Sequence, residues 1–488
     1  MHNATSCVNT SHRLAKSPAG PDSGRHPRIQ HAQQYNAVMT TPVPTKYRVL
    51  SLFSGAMGLD LGLEQTGRFE IVACIEKDPA FCETIRKNRD AGLLPHNLLV
   101  LEADLAKLDP AETLRALGLE STSIDVIVGG PPCQSFSTAG KRATVQDPRG
   151  TLLWDFLKFV SYVQPKFFLM ENVRGLLSAA LKHRPISQRP ENGGPPLSDQ
   201  EKPGSVVRLF AKDLSHIDGR YALDIFEVNA VNYGAPQLRE RALFIGNKFG
   251  KGVDFPGPTH SAPSQLSLQQ DLLNQPAFKP WRTLGEALAG LQETKPEIMD
   301  FSPRKKKYLS MVPEGSNWRS LPLEIQQESM GKAWHAKGGR SGWWRRLTAE
   351  LPSPTLVTMP NHASTSLCHP KETRALSVRE YARIQEFPDN WVFCGTLSKK
   401  YAQIGNAVPT RLGTISGQVI ASELDKYYAG DTLPAAPVSY EPRVVYLQSH
   451  VRTRQWYKGG ETKVWGNGQS NESLRYSTPK TVKKQRSV

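Results

Sequence analysis

The sequence predicts an α/β fold with a mostly parallel sheet, followed by a smaller, irregular second domain. Short apolar runs recur, and stretches of helical period such as Pro79–Asn88 and Leu152–Val163 lie between several of them. Strands that alternate with helices form βαβ units whose sheet is covered on both faces. After about Pro256 the alternation fades, and residues 257–370 are rich in Pro, Gly, Trp and basic groups. The apolar runs are Val49–Phe53, Phe69–Ile75, Leu98–Leu101, Ile124–Val128, Phe167–Met170, Ala222–Val228 and Ala242–Ile245.

Composition excludes several classes of protein. The 488 residues are 39% hydrophobic and 22% charged, which is enough apolar material for a core and excludes wholesale disorder. No apolar run approaches the ~18–20 residues that span a bilayer, and no signal-peptide core is present, so we expect a cytoplasmic protein with no membrane partner. The six cysteines include no CxxC pair, which argues against a disulfide scaffold and a thiolate zinc finger.

The net charge of +16 is concentrated in the two tails. Residues 1–48 carry six Lys/Arg and one Asp, and residues 440–488 carry ten Lys/Arg and three Glu. A polyanion such as nucleic acid is one partner that this charge would suit. Basic tails that only keep the chain in solution are the other interpretation, and charge alone leaves both open.

Glycine and acids follow the first three predicted strands. The first strand leads into Phe53-Ser-Gly-Ala-Met-Gly58, while Glu76 ends the second strand and Asp104 ends the third. Glycine after a parallel strand lets backbone approach a ligand, and an acid at the next strand end can accept from a ribose hydroxyl pair. Singly, each acid is better explained as a helix cap. Together, the three strand ends favour a nucleoside-bearing cofactor.

A cysteine, an acid and two arginines follow the later strands. The fourth strand ends in Gly129-Gly-Pro-Pro-Cys133, where two prolines fix the backbone just before a thiol whose ionised form is strongly nucleophilic. Glu171 ends the fifth strand, and such a carboxyl can act as an acid if it is desolvated. Arg239 and Arg241 alternate in an extended segment and could grip a phosphate or a base carbonyl. A buried structural cysteine, a capping acid and a surface pair with Glu240 are the alternatives.

Six motifs in this sequence resemble those of the DNA cytosine-C5 methyltransferases. Taken one at a time they are weak, but five of them in order are not a credible coincidence, and the match covers roughly residues 48–425. The motifs are Phe53–Gly58, Pro131–Ser137, Glu171–Val173, Gln237–Arg241, Arg374–Pro388 and Gly405–Pro409.

The resemblance implies a catalytic domain of the class I S-adenosylmethionine-dependent, Rossmann-like methyltransferase fold, with a target-recognition domain inserted before its last segment. The cofactor would be S-adenosylmethionine and no metal would be required. The domains would be a disordered basic arm (1–45), a catalytic and cofactor-binding domain (46–256), a target-recognition domain (257–370), a hinge segment (371–400), a return to the catalytic domain (401–429) and a basic C-terminal extension (430–488).

The resemblance also implies a mechanism. The thiolate of Cys133 would add to C6 of a cytosine flipped out of the duplex, which makes C5 nucleophilic enough to take a methyl group. Glu171 would hold a proton at N3, Arg241 would hold the base carbonyl, and Arg239 would position neighbouring groups. Cofactor contacts would come from Phe53, Gly55, Gly58, Glu76, Asp104, Pro132, Asn406 and Val408.

The chain departs from the family in the first motif, because the family usually has Asp where Ser51 stands and often Gly where Met57 stands. The implied substrate is double-stranded DNA, and the context is a restriction–modification system with a separately acting endonuclease. We expect a monomer that associates with the nucleoid through DNA.

The first rival is an RNA cytosine methyltransferase on the same fold, against which the long span 257–370 favours DNA. A non-enzymatic DNA-binding relative is disfavoured by the intact Cys133 and Glu171, and an amino-methyltransferase would carry an Asp/Asn-Pro-Pro-aromatic motif and no cysteine. Within Gly331–Arg346, three Trp and five Lys/Arg without an acid predict contacts with DNA.

Overall fold

The computed structural model describes residues 44–132, 151–218, 221–262, 278–335, 342–430, 441–447 and 470–471. Cys133 lies outside these ranges. So do nearly all of the predicted arm 1–45 and most of the predicted extension 430–488.

Strands and helices alternate through the first half of the chain, as the apolar runs predict. The strands are β1 (Tyr47–Leu52), β2 (Phe69–Glu76), β3 (Leu99–Glu102), β4 (Val126–Gly129), β5 (Phe167–Val173), β6 (Ala222–Asn229), β7 (Glu240–Asn247), β8 (His260–Ser261), β9 (Lys279–Pro280), β10 (Arg443–Tyr446) and β11 (Ser470–Asn471). The α-helices are α1 (Gly58–Glu64), α2 (Pro79–Asp90), α3 (Pro110–Ala116), α4 (Leu152–Val163), α5 (Ser205–Asp218), α6 (Leu284–Leu288), α7 (Pro303–Leu309), α8 (Leu323–Met330), α9 (Val378–Ile384), α10 (Leu397–Asn406) and α11 (Thr410–Tyr428).

The main sheet has the strand order β11-β10-β6-β7-β5-β4-β1-β2-β3. Its strands are parallel except at β7, which runs antiparallel to β5 and β6, and at β11, which runs antiparallel to β10. The register aligns Ile75, Leu52, Gly129 and Met170 across four neighbouring strands. The residues that follow this row therefore emerge side by side at the carboxyl edge of the sheet, where ligands of such folds bind. The predicted α/β, Rossmann-like fold is confirmed.

Both faces of the sheet are covered by helices. One apolar cluster packs α1, α2 and α11 onto the sheet, through residues such as Leu59, Ile85 and Leu412. A second cluster packs α3, α4 and α5 onto the opposite face, through residues such as Phe156 and Phe210. This cover on both faces explains why the central strands read as short continuous apolar runs rather than as alternating patterns. In the described parts of the chain, no helix is long and apolar enough to cross a membrane.

A third apolar cluster is built by the span between Phe301 and Ala375. Trp318 and Trp344 are buried in it, and Trp344 packs against Tyr308 with 5.2 Å between ring centroids. The span has few regular elements, as its composition predicts.

Two arginines of the predicted DNA-contacting stretch are structural instead. Arg345 and Arg346 are buried, and Arg346 donates to the carbonyl oxygens of Leu309 and Val312 at 2.8 Å. Neither these two guanidinium groups nor the buried Trp344 ring is available to DNA, so this part of the prediction for Gly331–Arg346 is wrong. Residues 336–341 of the stretch lie outside the described residues.

Part of the predicted C-terminal extension joins the main sheet. Strand β10 pairs in parallel with β6, and its Arg443 makes a 2.6 Å ion pair with Asp224. The guanidinium also donates to the carbonyl oxygen of Val253. The edge of β6 is thus covered by backbone of the same chain, which prevents unwanted pairing at an open strand.

Candidate active site

A cavity of about 1080 Å³ opens at the carboxyl edge of the sheet. Its walls come from the segments that follow β1 to β4, from the last residues of β5, from the start of the antiparallel β7, and from residues 355–358, 403 and 405–408. Every described residue of the predicted site lines it. These residues are Phe53, Gly55, Gly58, Glu76, Asp104, Pro132, Glu171, Arg239, Arg241, Asn406 and Val408. Cys133 directly follows the lining residue Pro132 but lies outside the described residues.

The loop after β1 is held in an uncommon backbone conformation. Phe53, Gly55 and Met57 have φ angles of 55°, 56° and 65°, in the left-handed region. At Gly58 the reason for glycine is close packing, because a Cβ there would lie 2.4 Å from the carbonyl oxygen of Val408. The two sequence-distant cofactor motifs therefore meet, and only glycine allows the approach.

Glu76 is oriented by the backbone around it. One carboxylate oxygen accepts from the Gly55 amide at 2.8 Å, and the other accepts from the amides of Lys77 at 2.7 Å and Asp78 at 2.9 Å. Three charge-assisted hydrogen bonds fix this carboxylate at the cavity wall. The oxygen that accepts only from Gly55 retains lone-pair capacity for a further donor.

Asp104 combines both interpretations that the sequence allows. It caps a short 3₁₀ turn by accepting from the Ala106 amide at 3.3 Å, and it also lines the cavity. The Lys77 ammonium donates to the other carboxylate oxygen at 2.7 Å. This hydrogen bond lowers the pKa of Asp104, so the group is ionised at neutral pH.

Glu171 and Arg241 form an ion pair inside the cavity. Their side chains are 10% and 11% exposed, and Arg241 Nε lies against Glu171 Oε1. Antiparallel pairing produces this contact, because Val173 of β5 is opposite Arg241 of β7. The other carboxylate oxygen of Glu171 faces Gly130, where a Cβ would lie at 3.3 Å. The Glu171 carboxylate and the Arg241 guanidinium therefore lie next to the Gly130–Pro132 turn in the cavity wall.

Asn172 is a residue whose role the sequence does not reveal. Its side-chain amide donates to the carbonyl oxygen of Pro131 at 3.0 Å, and its oxygen accepts from the Val173 amide at 2.9 Å. The side chain is buried. Asn172 therefore ties the Pro131–Pro132 turn, which leads into Cys133, to the end of β5. The only signal for it is its place beside Glu171.

Arg239 is a fully buried clamp. Its guanidinium donates to the carbonyl oxygen of Gly405 at 3.0 Å and to that of Leu356 at 3.4 Å. Burial, with the charge of nearby Arg241, lowers the pKa of Arg239 well below its ordinary value. The clamp joins the start of β7 to the end of α10, which carries Asn406 into the cavity wall.

Two glutamines extend this clamp and are also missed by sequence reasoning. Gln237 donates to the side chain of Gln385 at 2.7 Å, and Gln385 donates to the carbonyl oxygens of Ile404 at 2.7 Å and Ala407 at 2.9 Å. Both glutamines are completely buried. Each lies in a motif that the sequence singles out, but their pairing across 148 positions leaves no local signal.

Comparison with known proteins finds a family match over nearly the same residues as the sequence motifs, which span roughly 48–425. Residues 47–422 match the family described as C-5 cytosine-specific DNA methylase. The type II methyltransferase M.Eco47II of Escherichia coli is 37% identical over 385 residues, which cover 78% of this chain and 80% of that protein. M.Sau96I of Staphylococcus aureus is 34% identical, over 78% of this chain and 77% of the relative. The crystal structure of S. pombe Dnmt2 methyltransferase has a TM-score of 0.47 and 13% identity, covering 78% of this chain and 99% of that one.

Proposed function

The chain belongs to the C-5 cytosine-specific DNA methylase family, and on this premise we propose that it is the modification enzyme of a type II restriction–modification system. As a DNA cytosine-5-methyltransferase it acts on DNA. The proposed substrate is a cytosine flipped out of a specific duplex sequence. The observation that carries the proposal is the ion pair of Glu171 and Arg241 beside the Pro131–Pro132 turn, in the cavity that Glu76 also lines.

The residues of the cavity fit the cofactor that the family implies. S-adenosylmethionine supplies the methyl group when it is bound. Glu76, with its orientation fixed by three amides, suits a ribose hydroxyl pair, and the ionised Asp104 suits an adenine amino group. The loop from Phe53 to Gly58 would contact the cofactor from one side. From the other side Asn406 and Val408 would cover it, and Pro132 would complete the wall.

The chemistry on the base rests on three groups. The Cys133 thiolate adds to C6 of the cytosine, while Glu171 holds a proton at N3 and Arg241 turns to the base carbonyl. Glu171 and Arg241 are already side by side before the base arrives. Removal of the C5 proton later re-forms the double bond and expels Cys133. Asn172 keeps the Pro131–Pro132 turn aligned throughout.

The middle region 257–370 is the proposed target-recognition domain, since it contributes most of a third apolar cluster, although four of its buried leucines belong to the first cluster on the sheet. These leucines are Leu284, Leu347, Leu356 and Leu367. The enzyme would work as a monomer at the nucleoid, with the cognate endonuclease acting separately. Residues 371–400 would form the hinge and residues 401–429 the return to the catalytic domain.

Bisulfite sequencing of DNA from cells that express the protein tests this proposal. We expect protected cytosines in one short sequence, and none in cells that express the Cys133→Ser variant. Purified enzyme should methylate duplex DNA and leave transfer RNA unmodified, and a hybrid carrying a relative's 257–370 should protect that relative's sequence. Methylation of transfer RNA alone would contradict the DNA substrate, and an active hybrid with the original target would place recognition elsewhere.

A further inference from the structure

Asp60 lines the cavity but has no part in the function proposed above. It lies in the first turn of α1, is 2% exposed, and has one carboxyl oxygen, Oδ1, without a hydrogen-bond partner in the described part of the chain. A buried acceptor that is left unpaired is costly, and native proteins seldom keep one without a reason. An acceptor in the wall of a binding cavity indicates that a ligand supplies the missing donor.

The surroundings of Asp60 are polar and acidic. The Ser51 hydroxyl at the end of β1 hydrogen-bonds the carboxyl, and the Ser51 and Ser54 oxygens are 2.8 Å apart. Glu64 on α1 and the Cys74 thiol on β2 also interact with Asp60 electrostatically. None of these neighbours is a cation that could pair with Oδ1. A positively charged donor from outside the protein would therefore fit best.

We propose that Asp60 binds the α-ammonium group of the cofactor's methionine moiety, with Oδ1 accepting one of its N–H groups. The inference rests on the proposed function, which makes S-adenosylmethionine the ligand of this cavity. The ammonium group has three N–H donors, whereas the sulfonium has none and the carboxylate would be repelled.

The proton equilibrium of Asp60 gives the proposal a measurable signature. Burial raises the pKa of Asp60 to about 7, with the charge of Glu64 adding to the effect. In the free protein the carboxyl is therefore largely neutral below that pH and ionised above it. An ammonium group prefers the carboxylate, so affinity should rise as the pH rises through about 7 and binding should release a proton.

Calorimetric titration with two ligands tests the inference without measuring activity. The ligands are S-adenosylhomocysteine and its analogue without the α-amino group, titrated into the wild type, Asp60→Asn and Glu64→Gln. Glu64→Gln is the matched control, because this acid lies on the same helix but does not line the cavity. In the wild type and the control, loss of the amino group should weaken binding on the order of 10- to 100-fold, as for a hydrogen bond between charged groups. In Asp60→Asn the loss should be less than about 3-fold.

An equal loss in Asp60→Asn and the wild type would overturn the inference while leaving the proposed function intact. Wild-type protein that binds neither ligand would overturn both. A titration of the wild type alone from about pH 6 to about pH 8 covers the case of a variant that does not fold. Affinity for S-adenosylhomocysteine should rise over this range and affinity for the analogue should stay level, and parallel curves would contradict the proposal.

Discussion

The two ends of the cavity hold their charged groups in different ways. At the proposed cofactor end, Glu76 and Asp104 are oriented by neighbouring backbone amides and by Lys77, whose side chain is 72% exposed. At the proposed base end, Glu171, Arg239 and Arg241 are nearly completely buried and depend on one another and on remote carbonyl groups. Since buried charges depend strongly on their partners, substitutions at the base end should affect both chemistry and folding, and those at the cofactor end mainly affinity.

The largest effect is expected at Glu171. Glu171→Gln cannot hold a proton at N3 as an acid, so methyl transfer in a single turnover should slow by ~10²–10⁴-fold. Affinity for S-adenosylhomocysteine should stay the same. Glu240→Gln is the matched control, because Glu240 is the acid next to Arg241 on β7 but does not line the cavity. An unchanged rate in Glu171→Gln would mean that another group protonates the base.

Arg239 should matter most for stability. Arg239→Met keeps apolar volume but leaves the carbonyl groups of Leu356 and Gly405 without their donor, so the free energy of unfolding should fall by roughly 2–4 kcal/mol. Urea unfolding measures this change. Arg115→Met on α3, where the side chain is exposed, should change stability by only a few tenths of a kcal/mol. Equal stability of Arg239→Met and the wild type would show that the clamp is dispensable.

Glu76 should show the smallest effect, confined to affinity. Glu76→Gln keeps the shape of the side chain but loses the charge that strengthens a hydrogen bond to a ribose hydroxyl, so S-adenosylhomocysteine should bind roughly 10-fold more weakly. The rate of methyl transfer at saturating cofactor should be retained. The control is Glu102→Gln at the end of β3, which pairs with Arg86 away from the cavity. A lower rate of methyl transfer at saturating cofactor in Glu76→Gln would show that the cofactor end also affects chemistry, which would contradict the proposed difference between the two ends.

The same comparison explains how much the sequence could predict. Strand ends are local features, so glycine, Glu76, Asp104 and Glu171 could be assigned to one edge from the apolar runs that precede them. The partners of Arg239 could not, because its hydrogen bond to Gly405 joins positions 166 residues apart. The antiparallel β7, which brings Arg241 to Glu171, also has no signature in periodicity.

The basic stretch Gly331–Arg346 shows a second limit of sequence reasoning. Its composition indicates an exposed surface for DNA, yet Arg346 donates to carbonyl oxygens inside the third apolar cluster. Irregular backbone leaves many carbonyl groups without partners, and a buried guanidinium with five donors can satisfy several at once. In a region with few helices and strands, arginine content therefore reports on folding as well as on nucleic-acid binding.

The central claim is that the base is attacked by a thiolate at the turn that Asn172 holds. A duplex carrying 5-fluorocytosine at the target tests this most directly, because its C5 position has no proton to remove after methyl transfer. With S-adenosylmethionine present, the wild type should form a complex with the duplex that survives denaturation, and peptide mapping should place the bond at Cys133. Cys133→Ser should bind the duplex and form no such complex. Appreciable turnover of the unmodified duplex by Cys133→Ser, or a bond to the fluorinated duplex mapped to another residue, would contradict the account.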